Sequence, residues 1–219
     1  MSHKRRKFVV IGLDILGSTV ARELARFGNH VLGISNDEHS VGDIADALSE
    51  AVIADARDAD ALREIGVHHY DVAIVAIKNL EASILAAMNV KLLGVPKVWA
   101  KAINPVHHSI LERLEVDRVI HPEQEVGQHI AQMLHNPQVR DYIQVGDDLQ
   151  VVDFAVPEKL AGQPLAELNL AERLAIRCLG VIRDAEYLDA DNPSLRLQAE
   201  DKLLLLGHRR SLREFTDSL

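Results

Sequence analysis

The chain has 219 residues, of which 47% are hydrophobic and 26% charged, and its formal net charge is −9. This acidic balance argues against general nucleic-acid binding, which requires a positive field, and no apolar run reaches the length of a membrane span. Because Cys178 is the single cysteine, no disulfide can form within the chain, and we expect a protein of the reducing cytoplasm.

The first two-thirds of the chain alternates short apolar runs with amphipathic stretches. The runs are β-branched and nearly unbroken in apolarity, which is typical of parallel strands covered on both faces. The predicted strands are 8–11, 31–34, 51–54, 72–77, 97–100 and 118–120, and the predicted helices are 17–27, 58–65, 82–93 and 105–114. Asn104 and Pro105 form a helix start, with an N-cap followed by proline in the first turn. This alternation predicts an α/β fold, a Rossmann-like doubly wound parallel sheet.

After residue 120 the pattern changes. We predict a long helix over 122–133, a second helical piece after Pro137 and a polar loop over 144–150. A new apolar alternation begins at Leu149, and from residue 160 the pattern predicts strand, short helix, strand, hairpin and strand before a closing helix. With a boundary near Asp147, the predicted parts are a Rossmann-like domain (1–120), a crossover helix with a linker (121–146) and a small α+β lobe (147–219).

The turn after the first predicted strand reads Gly12-Leu13-Asp14-Ile15-Leu16-Gly17. In dinucleotide-binding domains this turn is G-x-G-x-x-G, whose glycines let a pyrophosphate approach the amides of the following helix. Gly12 and Gly17 keep the first and last positions. Asp14 stands at the position of the middle glycine. There its side chain would crowd a bound phosphate, and its negative charge would repel the phosphate. The turn therefore either binds a nucleotide or only forms the fold.

Other polar residues follow the remaining strands, at the edge where open α/β sheets bind ligands. Ser35 and Asn36 stand where an acidic residue usually holds the ribose, with Asp37 just beyond, and the alternative is a turn with an N-cap. The next tips carry Asp55, Ala56, Ala76, Ile77, Lys78 and Asn79. Lys101 is either a phosphate partner or a surface lysine. Glu123 either stabilises a helix start through the macrodipole or contacts a ligand or cation.

Four segments of the chain resemble the RCK regulators of potassium transport, the cytosolic subunits of Trk and Ktr uptake systems. They are "FVVIGLDILGSTVARELARFGNHVLGIS", "VIADARDADALREIGVHHYDVAIVAI", "VWAKAINPVHHSILERLEVDRVIHPEQEVGQHIA" and "AEDKLLLLG". The resemblance covers nearly the whole chain. The "VWAK" strand followed by "DRVIHPE" is most similar to the single-RCK Ktr type.

This resemblance implies a regulatory subunit rather than an enzyme, located at the inner face of the cell membrane. Such subunits form homo-oligomers, dimers that assemble into an octameric ring, and contact the membrane only through an integral-membrane potassium translocator. The Ktr type binds ATP or ADP and the Trk type NAD(H).

By resemblance, Gly12, Leu13 and Gly17 form the phosphate turn. The walls of the base pocket are formed, by the same resemblance, by Asp55-Ala56 and Ala76-Ile77. Asn79, Lys101 and Glu123 lie near the phosphates, with Glu123 at a position associated with cation binding between protomers.

Three departures from the family pattern fall at the expected ligand site. Family members usually have Gly at the position of Asp14, Arg at that of Ile15 and Asp at that of Ser35. We therefore expect nucleotide binding that is weakened, poorly selective between ATP and ADP, or lost. Two alternatives remain: a ring subunit regulated by its C-terminal lobe or partners, and an NAD-dependent oxidoreductase. The altered turn and the lack of a substrate domain oppose the second.

Overall fold

A computed structural model describes residues 5–146, 148–192 and 194–218. The chain divides into two compact units, of which the first ends at Pro122 and the second begins at Glu123. The three-part division predicted from the sequence stays a prediction, and its boundary residue Asp147 lies outside the described residues. Within the described ranges, no helix combines the length and apolarity needed to cross a membrane.

The first unit contains a six-stranded sheet in the order β3-β2-β1-β4-β5-β6, and all neighbouring strands are parallel. The strands are β1 (Lys7–Ile11), β2 (His30–Ser35), β3 (Glu50–Ile53), β4 (Val72–Val75), β5 (Lys97–Lys101) and β6 (Arg118–Ile120). The Rossmann-like sheet predicted from the sequence is confirmed. Strand order reverses between β1 and β4, which opens a crevice at the carboxyl ends of these strands.

Helices cover both faces of this sheet. They are α1 (Ile15–Arg26), α2 (Glu38–Gly42), α3 (Ala59–Glu64), α4 (Leu80–Leu92) and α5 (Pro105–Arg113). Residues of α1 and α2 pack with Val10 and Ile74 in one core cluster. Residues of α3, α4 and α5 pack with Val9 and Val75 in another. Because side chains alternate between the faces of a strand, both clusters bury the same central strands.

All five of these helices begin with an Asp or Asn that accepts a backbone N–H from the first turn. The capping residues are Asp14, Asp37, Asp58, Asn79 and Asn104. The predicted start at Asn104 and Pro105 is confirmed. Such caps satisfy amides that have no partner within the helix.

The second unit begins at the second residue of the long helix α6 (Pro122–His135), none of whose residues is buried. Its antiparallel sheet has the order β10-β9-β11-β8-β7. The strands are β7 (Val139–Gln144), β8 (Leu149–Ala155), β9 (Arg177–Arg183), β10 (Glu186–Leu188) and β11 (Lys202–His208), and the helices are α7 (Leu170–Leu174) and α8 (Arg209–Asp217). The predicted α+β lobe is confirmed.

Two local predictions in this part of the chain were wrong. The segment after Pro137 is the strand β7, not a helix, because its backbone pairs along β8, with Ile143 opposite Val151. The first strand predicted from residue 160 is instead a pair of short 3-10 turns, Glu158–Leu160 and Leu165–Leu168. Gly162 between them has a φ of +83°, a left-handed conformation that interrupts an extended run.

A buried ion pair joins two parts of the second unit. Asp201 is only 2% exposed and accepts hydrogen bonds from Arg183 at both carboxylate oxygens, at 2.8 and 2.7 Å. The backbone N–H of Gln198 donates to the same carboxylate at 2.7 Å. Burial raises the pKa of Asp201, but the bonds from Arg183 and Gln198 outweigh it and leave the pKa below its usual value.

Candidate functional site

A cleft of about 420 Å³ opens at the carboxyl edge of the parallel sheet. This volume lies within the range of known small-molecule sites. Eleven of the sixteen site residues predicted from the sequence line it: Gly12, Leu13, Asp14, Ser35, Asn36, Asp55, Ala56, Ala76, Ile77, Lys78 and Asn79. The tips of β1, β2, β3 and β4 meet here because parallel strands end at the same edge of a sheet.

The outer two glycines of the turn are required by close backbone contacts. Gly12 has a φ of +92°, and a Cβ there would lie 2.9 Å from the carbonyl carbon of Ala76. A Cβ on Gly17 would lie 1.8 Å from the carbonyl oxygen of Gly12. Leu13, between them, is 4% exposed and packs in the core under α1. The turn is thus tightly built into the fold, whatever it binds.

Asp14 caps α1 with its own side chain. The backbone N–H of Gly17 donates to Asp14 Oδ1 at 3.1 Å, and Lys78 Nζ lies 3.5 Å from the other carboxylate oxygen. The Asp14 side chain is only 17% exposed, whereas that of Lys78 is 70% exposed. Asp14 therefore places a negative group on a helix N-terminal amide, which is the arrangement that a bound phosphate adopts in a dinucleotide-binding turn.

The five other predicted residues do not line the cleft. Ile15 is 85% exposed, and Leu16 and Gly17 lie within the first turn of α1. Lys101 is 4% exposed on β5, so it is neither a surface lysine nor part of the cleft wall. Glu123 is exposed in the first turn of α6 and belongs to the second unit. The predicted cation contact at Glu123 stays a prediction.

At the tip of β2, the polar residues form a turn and an N-cap, the alternative that the sequence left open. The backbone N–H of Asp37 donates to Ser35 Oγ at 3.1 Å. Asp37 accepts the backbone N–H of Ser40 at 3.0 Å and also the hydroxyl of Ser40. These bonds hold the pKa of Asp37 below its usual value. Asp37 does not line the cleft, whereas Ser35 and Asn36 do.

Arg57 is a cleft residue that the sequence analysis missed. Its Nε lies 3.0 and 2.9 Å from the two carboxylate oxygens of Asp55, and its Nη2 lies 2.6 Å from Oδ2. Hydrogen bonds from Arg57 lower the pKa of Asp55, and Asp55 in turn raises that of Arg57. The charged run "ADARDAD" was the available signal, but periodicity does not distinguish a cleft arginine from a solvated one.

Asn89 positions the wall of the cleft without lining it. It lies on α4, is 4% exposed and donates through Nδ2 to the carbonyl oxygens of Ala56 and Arg57, both at 3.0 Å. These bonds fix the loop that carries Asp55 and Arg57. The signal in the sequence was a lone amide within the apolar stretch "ILAAMNVKLL".

Replacing Asn89 by leucine is expected to lower the free energy of unfolding by about 1–3 kcal/mol, because two carbonyl groups lose their donor. Urea unfolding followed by tryptophan fluorescence measures this, since Trp99, the single tryptophan, lies on β5 in the same unit. Leu92→Ala, at a 77% exposed position of the same helix, should change stability by less than about 0.5 kcal/mol. Equal effects of the two substitutions would contradict this role of Asn89.

No metal centre is evident in the described ranges. Within them, no group of three or more histidine, cysteine, aspartate or glutamate side chains is arranged to hold a metal ion. Glu123 belongs to no such group.

Comparison with known proteins gives two domain families and several relatives. The TrkA-N domain family matches residues 8–122, and the TrkA-C domain family matches residues 149–219. Ktr system potassium uptake protein A of Bacillus subtilis is 32% identical over 213 residues, covering 97% of this chain and 96% of that protein. The chain belongs to the Ktr and Trk potassium-uptake family. The protein of the same description from Vibrio alginolyticus is 30% identical over 215 residues, covering 98% of each chain.

Solved structures agree on the fold of this Ktr/Trk family member. The GsuK RCK domain superposes with a TM-score of 0.67 at 16% identity and covers 99% of this chain. The GsuK channel bound to NAD superposes with a TM-score of 0.65 at 16% identity and covers 97%. The chain spans 48% and 39% of those proteins. The resemblance predicted from the sequence is confirmed by the TrkA-N and TrkA-C matches and by relatives at 30% identity or more.

Proposed function

We propose that the protein is a regulatory subunit that gates a potassium uptake system from the cytoplasmic side of the membrane. Its direct partner is an integral-membrane potassium translocator, and it acts as a homo-oligomer built from dimers, in a ring of eight. The observation that carries this proposal is the similarity to Ktr system potassium uptake protein A along nearly the full length of both chains.

We propose a binding role for the cleft rather than a catalytic one, in line with the similarity to a potassium uptake protein. We propose that the eleven predicted residues in this lining form the regulatory site. A ligand there changes the ring only if it binds one arrangement of the subunits better than another.

The candidate ligands of this site are ATP, ADP and NAD(H), all of them bound weakly. Asp14 already caps the helix amide that a phosphate would use, and it pairs with Lys78. The same contacts favour the second candidate, a ring subunit regulated by its C-terminal lobe or by partner proteins. Both candidates keep the same membrane partner, so the first experiment addresses the partner.

Potassium uptake tests this role directly. Cells that lack their own potassium uptake systems would express the cognate membrane translocator alone, with this chain, or with its Gly17→Ala variant, which we expect not to fold. Uptake of labelled rubidium should change severalfold with the intact chain and should not change with the variant. The chain should also co-purify with the tagged translocator. Equal uptake in all three strains together with no co-purification would exclude the proposed function.

A further inference from the structure

The carboxylate of Asp14 is held inside the cleft by two separate contacts. It accepts the backbone N–H of Gly17 at 3.1 Å, and its second oxygen lies 3.5 Å from Lys78 Nζ. We propose that Asp14 is a built-in substitute for a ligand phosphate, so that the cleft binds an uncharged nucleoside in preference to a nucleoside polyphosphate. This inference rests on the proposed regulatory role of the cleft and names its ligand class.

Both cations of the described cleft lining are paired with carboxylates of the same lining. Lys78 faces Asp14, and Arg57 contacts both carboxylate oxygens of Asp55, through Nε and Nη2. Glu81 adds a third carboxylate to the wall. Two cations against three carboxylates leave the lining with a net charge of −1. A polyphosphate entering this cleft therefore meets repulsion, and it competes with Asp14 and Asp55 for the two cations, Lys78 and Arg57.

The remaining wall suits a base and an uncharged sugar. Ser35 and Asn36 supply neutral hydrogen-bonding groups at the tip of β2, where ribose hydroxyls bind in dinucleotide-binding domains. Ala54 and Ile77, both half-buried, supply apolar surface. The cleft volume of about 420 Å³ is that of a small-molecule site, and such sites combine an apolar wall with few polar groups.

Calorimetric titration of the full-length protein tests the proposal with the four ribonucleosides and the four corresponding ribonucleoside 5′-triphosphates. The variants are Asp14→Gly, which removes cap and charge, and Asp14→Asn, which keeps an oxygen for the Gly17 amide but removes the charge. The double variant, Asp14→Gly with Lys78→Ala, also removes the Lys78 ammonium group, which Asp14→Gly alone frees from its ion pair. Asp58→Asn changes the cap of α3, outside the cleft lining, and controls for net charge. Melting curves without ligand establish that each variant is folded.

The wild-type protein should bind at least one nucleoside more tightly than its triphosphate. Asp14→Gly should raise triphosphate affinity at least about tenfold by removing a like charge and freeing Lys78. Asp14→Asn should give an intermediate gain in triphosphate affinity. Adding Lys78→Ala to Asp14→Gly should reverse most of the Asp14→Gly gain, and Asp58→Asn should give no gain. If the Asp14→Gly variant does not fold, the triphosphate affinity of the Asp14→Asn variant still tests the proposal. Tight triphosphate binding by the wild type, no gain in either variant, or no nucleoside binding would each overturn the proposal. These binding results are independent of the uptake experiment, so the two proposals fail separately.

Discussion

Replacing Gly17 by alanine is expected to leave the first unit unfolded or close to it. A Cβ at this position would lie 1.8 Å from the carbonyl oxygen of Gly12, and backbone on both sides of that contact is fixed by β1 and α1. Neither side can move without breaking the turn, so the loss should reach at least about 4 kcal/mol. A domain with a total stability of about 5–15 kcal/mol has little left after such a loss.

Trp99 fluorescence during urea unfolding measures this effect on the unit that contains the turn. Gly42→Ala is the matched control, because Gly42 also lies in a helix of this unit but has nothing within 4 Å of its added Cβ. It should change stability by less than about 1 kcal/mol, in the direction of helix propensity. A Gly17→Ala protein as stable as Gly42→Ala would mean that the turn can open without cost.

Replacing Asp201 by alanine is expected to destabilise the second unit by about 3–5 kcal/mol, since it leaves Arg183 with an unpaired charge in a partly buried site. Asp201 is 2% exposed and Arg183 donates to both of its oxygens. The loss also removes the acceptor for the Gln198 amide. Urea unfolding followed by circular dichroism measures the change.

Arg140→Ala is the control, because Arg140 and Glu200 form an ion pair of 2.7 Å whose side chains are 55% and 76% exposed. Such a pair contributes no more than about 1 kcal/mol. If Arg140→Ala lowers the free energy of unfolding as much as Asp201→Ala does, burial of the Asp201 pair does not explain the loss of stability.

The contribution of Asp201 should also depend on pH. Its pKa is lower in the folded state than the ordinary 3.8, so the pair's full contribution is present above the unfolded pKa and is lost as pH falls through the folded one. The stability difference between wild type and Asp201→Asn should be constant at neutral pH and shrink below about pH 4. A difference that grows on acidification would contradict this sign.

Element type in the first unit was predictable because its strands are buried on both faces. A run such as Val72–Val75 is short and apolar throughout, which is typical of a parallel strand. Helix starts were less accurate: we predicted the first helix from residue 17, but α1 begins at Ile15. The reason is Asp14, whose cap allows the helix to begin two residues earlier.

Strand β7 shows why the second unit was harder to predict. Residues 139–144 have no strong period of their own, and their extended conformation comes from hydrogen bonds to β8. An edge strand of this kind depends on its neighbour rather than on local propensity. The same limit applies to Asn89, whose role arises from partners more than 30 residues away.

The sequence by itself determined the doubly wound sheet, the glycine turn at its edge and the resemblance to regulators of potassium transport. These features follow from local periodicity and from residue types at fixed spacing. Only the tertiary structure decided what Asp14 does. From the sequence its charge was an obstacle to phosphate, whereas in the fold the carboxylate caps α1 and pairs with Lys78. Sequence spacing cannot reveal the pairing with Lys78, because Lys78 reaches Asp14 only when β1 and β4 lie side by side in the sheet.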